Sequence, residues 1–246
     1  GGLGPASATW LDRVARANTL LAKAEAHLHG ATRAASPIVM LASQVDSVWT
    51  DAAALTNEEI GWHMALSQAH LPVDFMLEDE VAQGLLSNPL LERRVLLVMR
   101  KHVSRAAWQA IDRWVEDGGV LIIGGGLATH DEFGQYDQGR AEQALYFADE
   151  GGAGSETITW TNARGGASFA YSGAWSEVSS VVGTPIALAR EGRVVAMRIP
   201  RSRGRIYALG LGLGAHYRLP ETGCDMDRPA TLPQPPSGFS KAMREV

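Results

Sequence analysis

The chain has 246 residues, 46% of them apolar, and a formal charge of −5 from 22 basic and 27 acidic side chains. That apolar content is enough to bury a sizeable core, and the acidic balance leaves no electrostatic footprint for nucleic acid or an anionic membrane surface. A single cysteine, Cys224, excludes an internal disulfide and a cysteine-built zinc site, and no apolar run approaches the ~20 residues of a membrane span.

The N-terminus carries no basic-then-apolar signal pattern, so the compartment is left open with the cytoplasm favoured. The start at Gly1 and the Pro-rich close over residues 228–236 suggest a piece of a longer polypeptide. Residues 1–33 then form an N-terminal helical connection, 34–220 an α/β domain, and 221–246 a linker or the start of a following domain.

In chain order, residues 9–29 read as a helix, with Trp10, Val14, Ala17, Leu21, Ala24 and Leu28 on one stripe and Thr9 with Asp12 as its start. The stripe suits packing on the domain's own body, or a seam with another subunit. Pro37–Ser43 is a nearly continuous apolar run, as in a parallel strand buried on both faces. Thr56 with Glu59 makes a capping box for a helix running to His70. Pro72–Leu77 and Arg94–Met99 are the second and third strands. Ser104 caps a helix that buries Ala107, Trp108, Ile111, Trp114 and Val115, and Gly118-Gly119 ends it. Val120–Gly124 is the fourth strand. This alternation predicts right-handed crossovers and a doubly wound, mostly parallel sheet with helices on both faces.

Beyond Gly126 the pattern changes to a polar loop up to Arg140, a short helix over 141–148 and a glycine-rich break over 151–154. Additional C-terminal strands follow at 157–161, 167–171, 184–190, 194–199 and 204–211, with Glu191-Gly192 turning a tight hairpin.

Several of these strings resemble one family. Thr56-Asn-Glu-Glu, His70-Leu-Pro-Val-Asp74, Leu96-Leu-Val-Met99, the run Ala110–Gly119, Asp131-Glu-Phe-Gly134 and the closing Thr184–Arg190 and Arg203–Leu211 are similar to the middle, or trimerisation, domain of family 42 β-galactosidases. That resemblance covers roughly residues 10–217, except 134–180. It implies a flavodoxin-like, class I glutamine amidotransferase-like fold and a structural, oligomerisation role that borders the active site of a neighbouring glycoside hydrolase barrel. The implied partners are the chain itself, as a homo-oligomer with a trimer among the options, and a catalytic barrel outside this chain. The catalytic carboxylates belong to that barrel, so no catalytic residue, cofactor or metal is expected here.

An active amidotransferase-like domain needs a nucleophile on the sharp turn after a buried strand. Here the turn reads Ile123-Gly124-Gly125-Gly126, with Gly124 where the resemblance places the cysteine. Gly124-x-Gly126-x-x-Thr129 misses the third glycine of a dinucleotide fingerprint. Gly210-x-Gly212-x-Gly214 follows a strand, yet His216-Tyr-Arg-Leu-Pro220 does not read as a helix, so close backbone packing is expected there. The histidines are scattered, and His27/His29 and His63/His70 lack metal-ligand spacing.

The C-terminal edge of the strands, where open α/β sheets bind ligands, would carry Ser47, Trp49, His102, His130, Asp131 and Glu132. Carboxylates, imidazoles and an indole along one crevice suit a carbohydrate or small metabolite, the second reading. Asp131 and Glu132 equally suit turn and capping roles.

Overall fold

The structure is a computed structural model, and it describes residues 5–30, 36–49, 52–137, 139–140, 147–161 and 166–218. Cys224, the Pro-rich segment and most of the helix expected over 141–148 lie outside these. The chain divides into two units, Gly1–Ala35 and Ser36–Val246.

The first unit carries one helix, α1 (Pro5–Leu28). Proline suits a first helical turn, whose N–H groups have no intrahelical partner. Thr9 therefore lies inside the helix and does not start it. Asp12 pairs instead with Arg16 at 2.9 Å, one turn on and largely in solvent, which contributes little. Leu11, Leu20 and Leu21 are all exposed.

Among the described residues, the second unit is built on nine strands, β1 (Ile38–Ala42), β2 (Val73–Leu77), β3 (Val95–Val98), β4 (Val120–Ile123), β5 (Phe147–Trp160), β6 (Ala167–Ser179), β7 (Thr184–Leu188), β8 (Val194–Arg201) and β9 (Gly204–Leu209). They form one sheet in the order β2-β1-β3-β4-β9-β8-β7-β5-β6. From β2 to β9 every neighbouring pair is parallel, and from β9 to β6 every pair is antiparallel. The sheet is thus mixed, not mostly parallel. The reason lies in the connections: Ser202-Arg203 and Arg190–Gly192 are too short to cross over, and hairpins can join only antiparallel strands.

The glycine-rich break expected over 151–154 is instead the middle of β5, which pairs along its length with β6 from Phe147↔Ser179 to Trp160↔Ala167. A register shift between Glu150 and Gly152 absorbs the irregularity as a bulge. Phe147 and Ala148 belong to this strand and not to a helix.

Helices cover both faces, α2 (Gln44–Trp49), α3 (Ala52–Gln68), α4 (Glu78–Ala82), α5 (Arg105–Glu116) and α6 (Leu213–Arg218). On one face α5 buries Ala107, Trp108, Ile111, Trp114 and Val115 against Leu96, Val98, Leu121 and Ile123. Ser104 Oγ accepts from Ala107 N–H at its start, as the sequence predicts. On the other face Trp62 of α3 and Leu213 and Tyr217 of α6 pack on Met40, Leu97 and Ile122.

α3 begins at Ala52, so Thr56 lies inside the helix and not at its start, and the Glu59 carboxylate expected in a capping box there is held by Arg100. α6 is a helix where the sequence suggested none, although the close packing expected of its glycines is present. A Cβ on Gly61 would lie 1.8 Å from the Gly214 carbonyl oxygen, and one on Gly214 2.0 Å from that of Glu58. Only hydrogen atoms fit where α3 crosses α6. Among the described residues, no helix is long and apolar enough to cross a membrane.

Candidate functional site at the strand ends

The C-terminal ends of β1, β3 and β4 meet on one edge of the sheet, and the polar side chains there are tied to one another. Ser43, just past β1, donates its hydroxyl to the His102 carbonyl at 3.1 Å and accepts the Asp46 N–H at 3.0 Å, starting α2. This fixes Asp46, which is fully buried. Asp46 Oδ1 accepts the His102 backbone N–H at 2.8 Å and lies 2.7 Å from His102 Nδ1. Its Oδ2 is 3.5 Å from Arg100, whose guanidinium forks onto Glu59 at 2.6 and 2.5 Å. A planar fork of this kind holds a carboxylate in orientation as well as by charge. Burial still pushes the Glu59 carboxyl up; Arg100 opposes that and the Asp46 charge adds to it.

Above this network Trp49 stacks on His102, centroids 6.2 Å apart, and its indole N–H donates to the Glu132 carbonyl at 3.1 Å. His102 and His130 meet edge to face at 5.1 Å, and His130 meets Tyr136 at 5.7 Å. Burial, with Lys101 and His102 nearby, holds the His130 ring below its usual range. Arg140, also buried, donates to the carbonyls of Ala128 and His130 and lies over the Trp108 ring.

Asp131 has no exposed surface. Its Oδ1 accepts the N–H groups of Phe133 and Gln135, each at 2.9 Å, and its Oδ2 meets Arg105 at 2.7 Å. Burial raises this carboxyl, yet those backbone donors and Arg105 together hold it below its ordinary value. Glu132 Oε2 accepts the Arg105 N–H at 2.8 Å, in the first turn of α5. The turn and capping roles weighed for these two carboxylates are thus the contacts they make.

The structure therefore brings Trp49, His102, His130, Asp131 and Glu132 together. Ser47 stands aside, exposed, with its hydroxyl on the Gln44 carbonyl. Sequence reasoning passed over Asp46, Glu59, Arg100 and Arg140. Asp46 immediately precedes Ser47, and Arg100 lies two residues beyond β3, where a long cation at a strand end is itself a signal.

The turn after β4 is equally committed. Gly124 N–H donates to Val98, Ala128 N–H to Arg100 and His130 N–H to Lys101. A Cβ on Gly126 would strike Lys101 at 2.3 Å. These donors point into the protein, so the turn offers them to no phosphate, and a run of turns follows it in place of a helix.

Beneath the turn lies an acid that the sequence did not single out. A Cβ on Gly124 would be 3.9 Å from Glu58 Oε1. Glu58 is buried, accepts the Trp62 indole N–H at 2.8 Å through Oε1 and the Ala215 N–H at 2.8 Å through Oε2. Burial pushes its carboxyl up, against the pull of Ala215, Gly214 and Trp62.

Chemically, Asp46 and His102 form the pair that orients a general base. The neighbouring hydroxyl, Ser43, faces the His102 carbonyl and the Asp46 N–H rather than a reacting centre. Among the described residues, no group of three or more His, Cys, Asp or Glu is placed to hold a metal ion. His63 stacks on Phe75 instead.

No protein-family model matches the chain, and no curated protein does. Solved structures do match. The β-galactosidase from Rahnella sp. R3 is similar over 79% of this chain and 32% of its own, with a TM-score of 0.61 and 13% identity. A GH42 β-galactosidase from G. stearothermophilus is similar over 80% of this chain and 31% of its own, at 0.60 and 11%. A ThuA-like protein from Bacteroides uniformis is similar over 74% of this chain and 85% of its own, at 0.51 and 10%. The chain spans about a third of the length of the β-galactosidases it matches. At these identities the likeness is one of fold: a domain-sized part of the β-galactosidases, shared with a ThuA-like protein.

Proposed function

We propose that this chain is the non-catalytic structural and assembly domain of a β-galactosidase-like glycoside hydrolase, with its strand-end loops walling the active site of a neighbouring barrel. The observation that carries this reading is the mutual pairing at the strand ends. Asp46, His102, Arg100 and Glu59 bind one another, and Asp131 and Glu132 bind the start of α5. Groups paired in this way hold loops in place, whereas an acid, base or nucleophile must face a substrate. Gly124 at the turn after β4 and the fold shared with part of two β-galactosidases support the same reading.

The test is solution mass by light scattering across a concentration series, with galactosides added in parallel. Self-association without hydrolysis is the expected result. Hydrolysis of a galactoside by this chain alone, lost on His102→Ala, would overturn it.

A second reading keeps a carbohydrate or small metabolite as ligand of the same edge. It is favoured by the half-exposed Trp49, Phe133 and Tyr136 beside His130, because sugar rings stack on such surfaces. Saturable quenching of indole fluorescence by galactose, abolished in Trp49→Ala, would select it; no response at millimolar sugar would remove it.

A further inference from the structure

A cleft of about 510 Å³ opens at the opposite, N-terminal ends of β3, β4 and β9, remote from the strand-end network. Arg93, Arg94 and Arg205 line it together with the apolar Leu86, Pro89 and Trp114. Arginine stays charged at any physiological pH, so three guanidinium groups around one cleft repel each other unless anions stand between them.

Arg93 has its anion: Nη1 lies 2.7 Å from Asp74 and also donates to the Ser36 carbonyl. Its side chain is nine-tenths buried, and its Nε has no acceptor among the described residues. Arg94 and Arg205 are exposed and have no ionic partner among the described residues. They flank the start of β4, because Val95, Val120 and Arg205 lie in register across β3, β4 and β9. Two strand spacings put their backbones roughly 10 Å apart, and both residues line the cleft.

Arginines beside a helix C-terminus often serve its exposed carbonyls, and the end of α5 is nearby. Here those carbonyls already have donors. Asp117 N–H meets Arg113 O, Gly118 N–H meets Val115 O, Gly119 N–H meets Trp114 O and Arg203 N–H meets Glu116 O. The Asp117 carboxylate is likewise held by Arg203 at 2.6 Å. Glu92 remains on the rim as an acceptor for hydroxyl groups.

We infer that this cleft binds a monosaccharide-sized organic oxyanion, a phosphate ester or carboxylate, through Arg94 and Arg205, with its ring against Pro89 and Trp114. The volume falls in the range of small-molecule sites, and a guanidinium fork matches both head groups. This site is independent of the strand-end edge and of the proposed role in assembly.

The test is calorimetric titration of the 246-residue chain at low salt with glucose 6-phosphate, glucuronate and glucose. Binding of either anion, weakened by added salt, with none by glucose, is expected; which anion binds distinguishes phosphate from carboxylate. Combined Arg94→Ala and Arg205→Ala should weaken binding about tenfold or more, since hydrogen bonds to charged groups are being removed. Arg190→Ala, an exposed arginine outside the cleft, should leave it unchanged. In the wild-type chain the Arg94 and Arg205 Nε–H resonances should shift on titration, a readout independent of whether the double variant folds. No binding of either anion at millimolar concentration, equal binding of glucose, or stationary resonances would overturn the inference.

Discussion

Replacing Glu58 by glutamine tests how α6 is held to the sheet. Both carboxyl oxygens are acceptors, one for the Trp62 indole and one for the Ala215 N–H. An amide presents one oxygen and one NH2, so one of those buried donors would face another donor. Leaving such a donor unpaired costs about 1–3 kcal/mol. Against this, glutamine carries no charge to bury.

The pH dependence separates the two effects. Burial raises the folded-state value of Glu58 above its unfolded one. Its contribution is therefore fully present below the unfolded value, near ~4.3, and is lost as pH rises through the folded value, by about 1.4 kcal/mol per unit of separation. Glutamine does not titrate. Urea unfolding of both proteins at a series of pH values rising from the unfolded value should show Glu58→Gln less stable at the acid end. The gap should then narrow as pH rises. In a domain of this size, a deficit of 1 kcal/mol would lower Tm by roughly 2–4 °C. A gap that widens with pH would refute the reasoning, because it would mean that the charged carboxylate is the form the fold prefers.

Three further outcomes follow from the contacts described. Asp46→Ala removes the acceptor of two His102 groups and a partner of Arg100; unfolding should show a loss of about 3 kcal/mol, and His102 side-chain resonances should broaden. Gly61→Ala drives a methyl into the Gly214 carbonyl, so despite alanine's higher helix propensity it should cost about 1–3 kcal/mol, while Gly84→Ala, which meets no atom within 4 Å, should cost only its backbone strain at positive φ. Arg105→Ala takes away one of the groups that hold Asp131 below its usual range. A depressed carboxyl contributes stability above its unfolded value that is lost as pH falls through the folded one, so the variant's Asp131 carbon resonance should titrate at higher pH than the wild type's.

The parallel half of the sheet was legible because strands covered on both faces must be apolar throughout, as in Val39-Met-Leu41, and because α5 wears its buried stripe openly. The long β5–β6 hairpin was not. Gly151, Gly152 and Gly154 read as a break, whereas pairing to β6 supplies order that local propensity does not. α6 was hidden for a similar reason. Glycines that look like helix breakers are there because α3 lies too close for any side chain, a constraint set by a segment about 150 residues earlier.

At the strand-end edge the sequence offered residue types but not their partners. Asp131 and Glu132 read alike as ligand-binding or structural groups until the position of Arg105 is known, and His102 reads as an edge imidazole until Asp46 is placed beside it. Those partners give the edge its character. His102 is held at two atoms by one buried carboxylate, and the loop after β4 is pinned by Asp131, Arg140 and its own backbone donors. Moving either loop would break several buried polar contacts at once, each costly to leave unmade. An edge fixed in this way holds the backbone that carries Trp49, Phe133 and Tyr136, so a group docking there would meet loops already ordered, with little backbone ordering cost on this side of the contact.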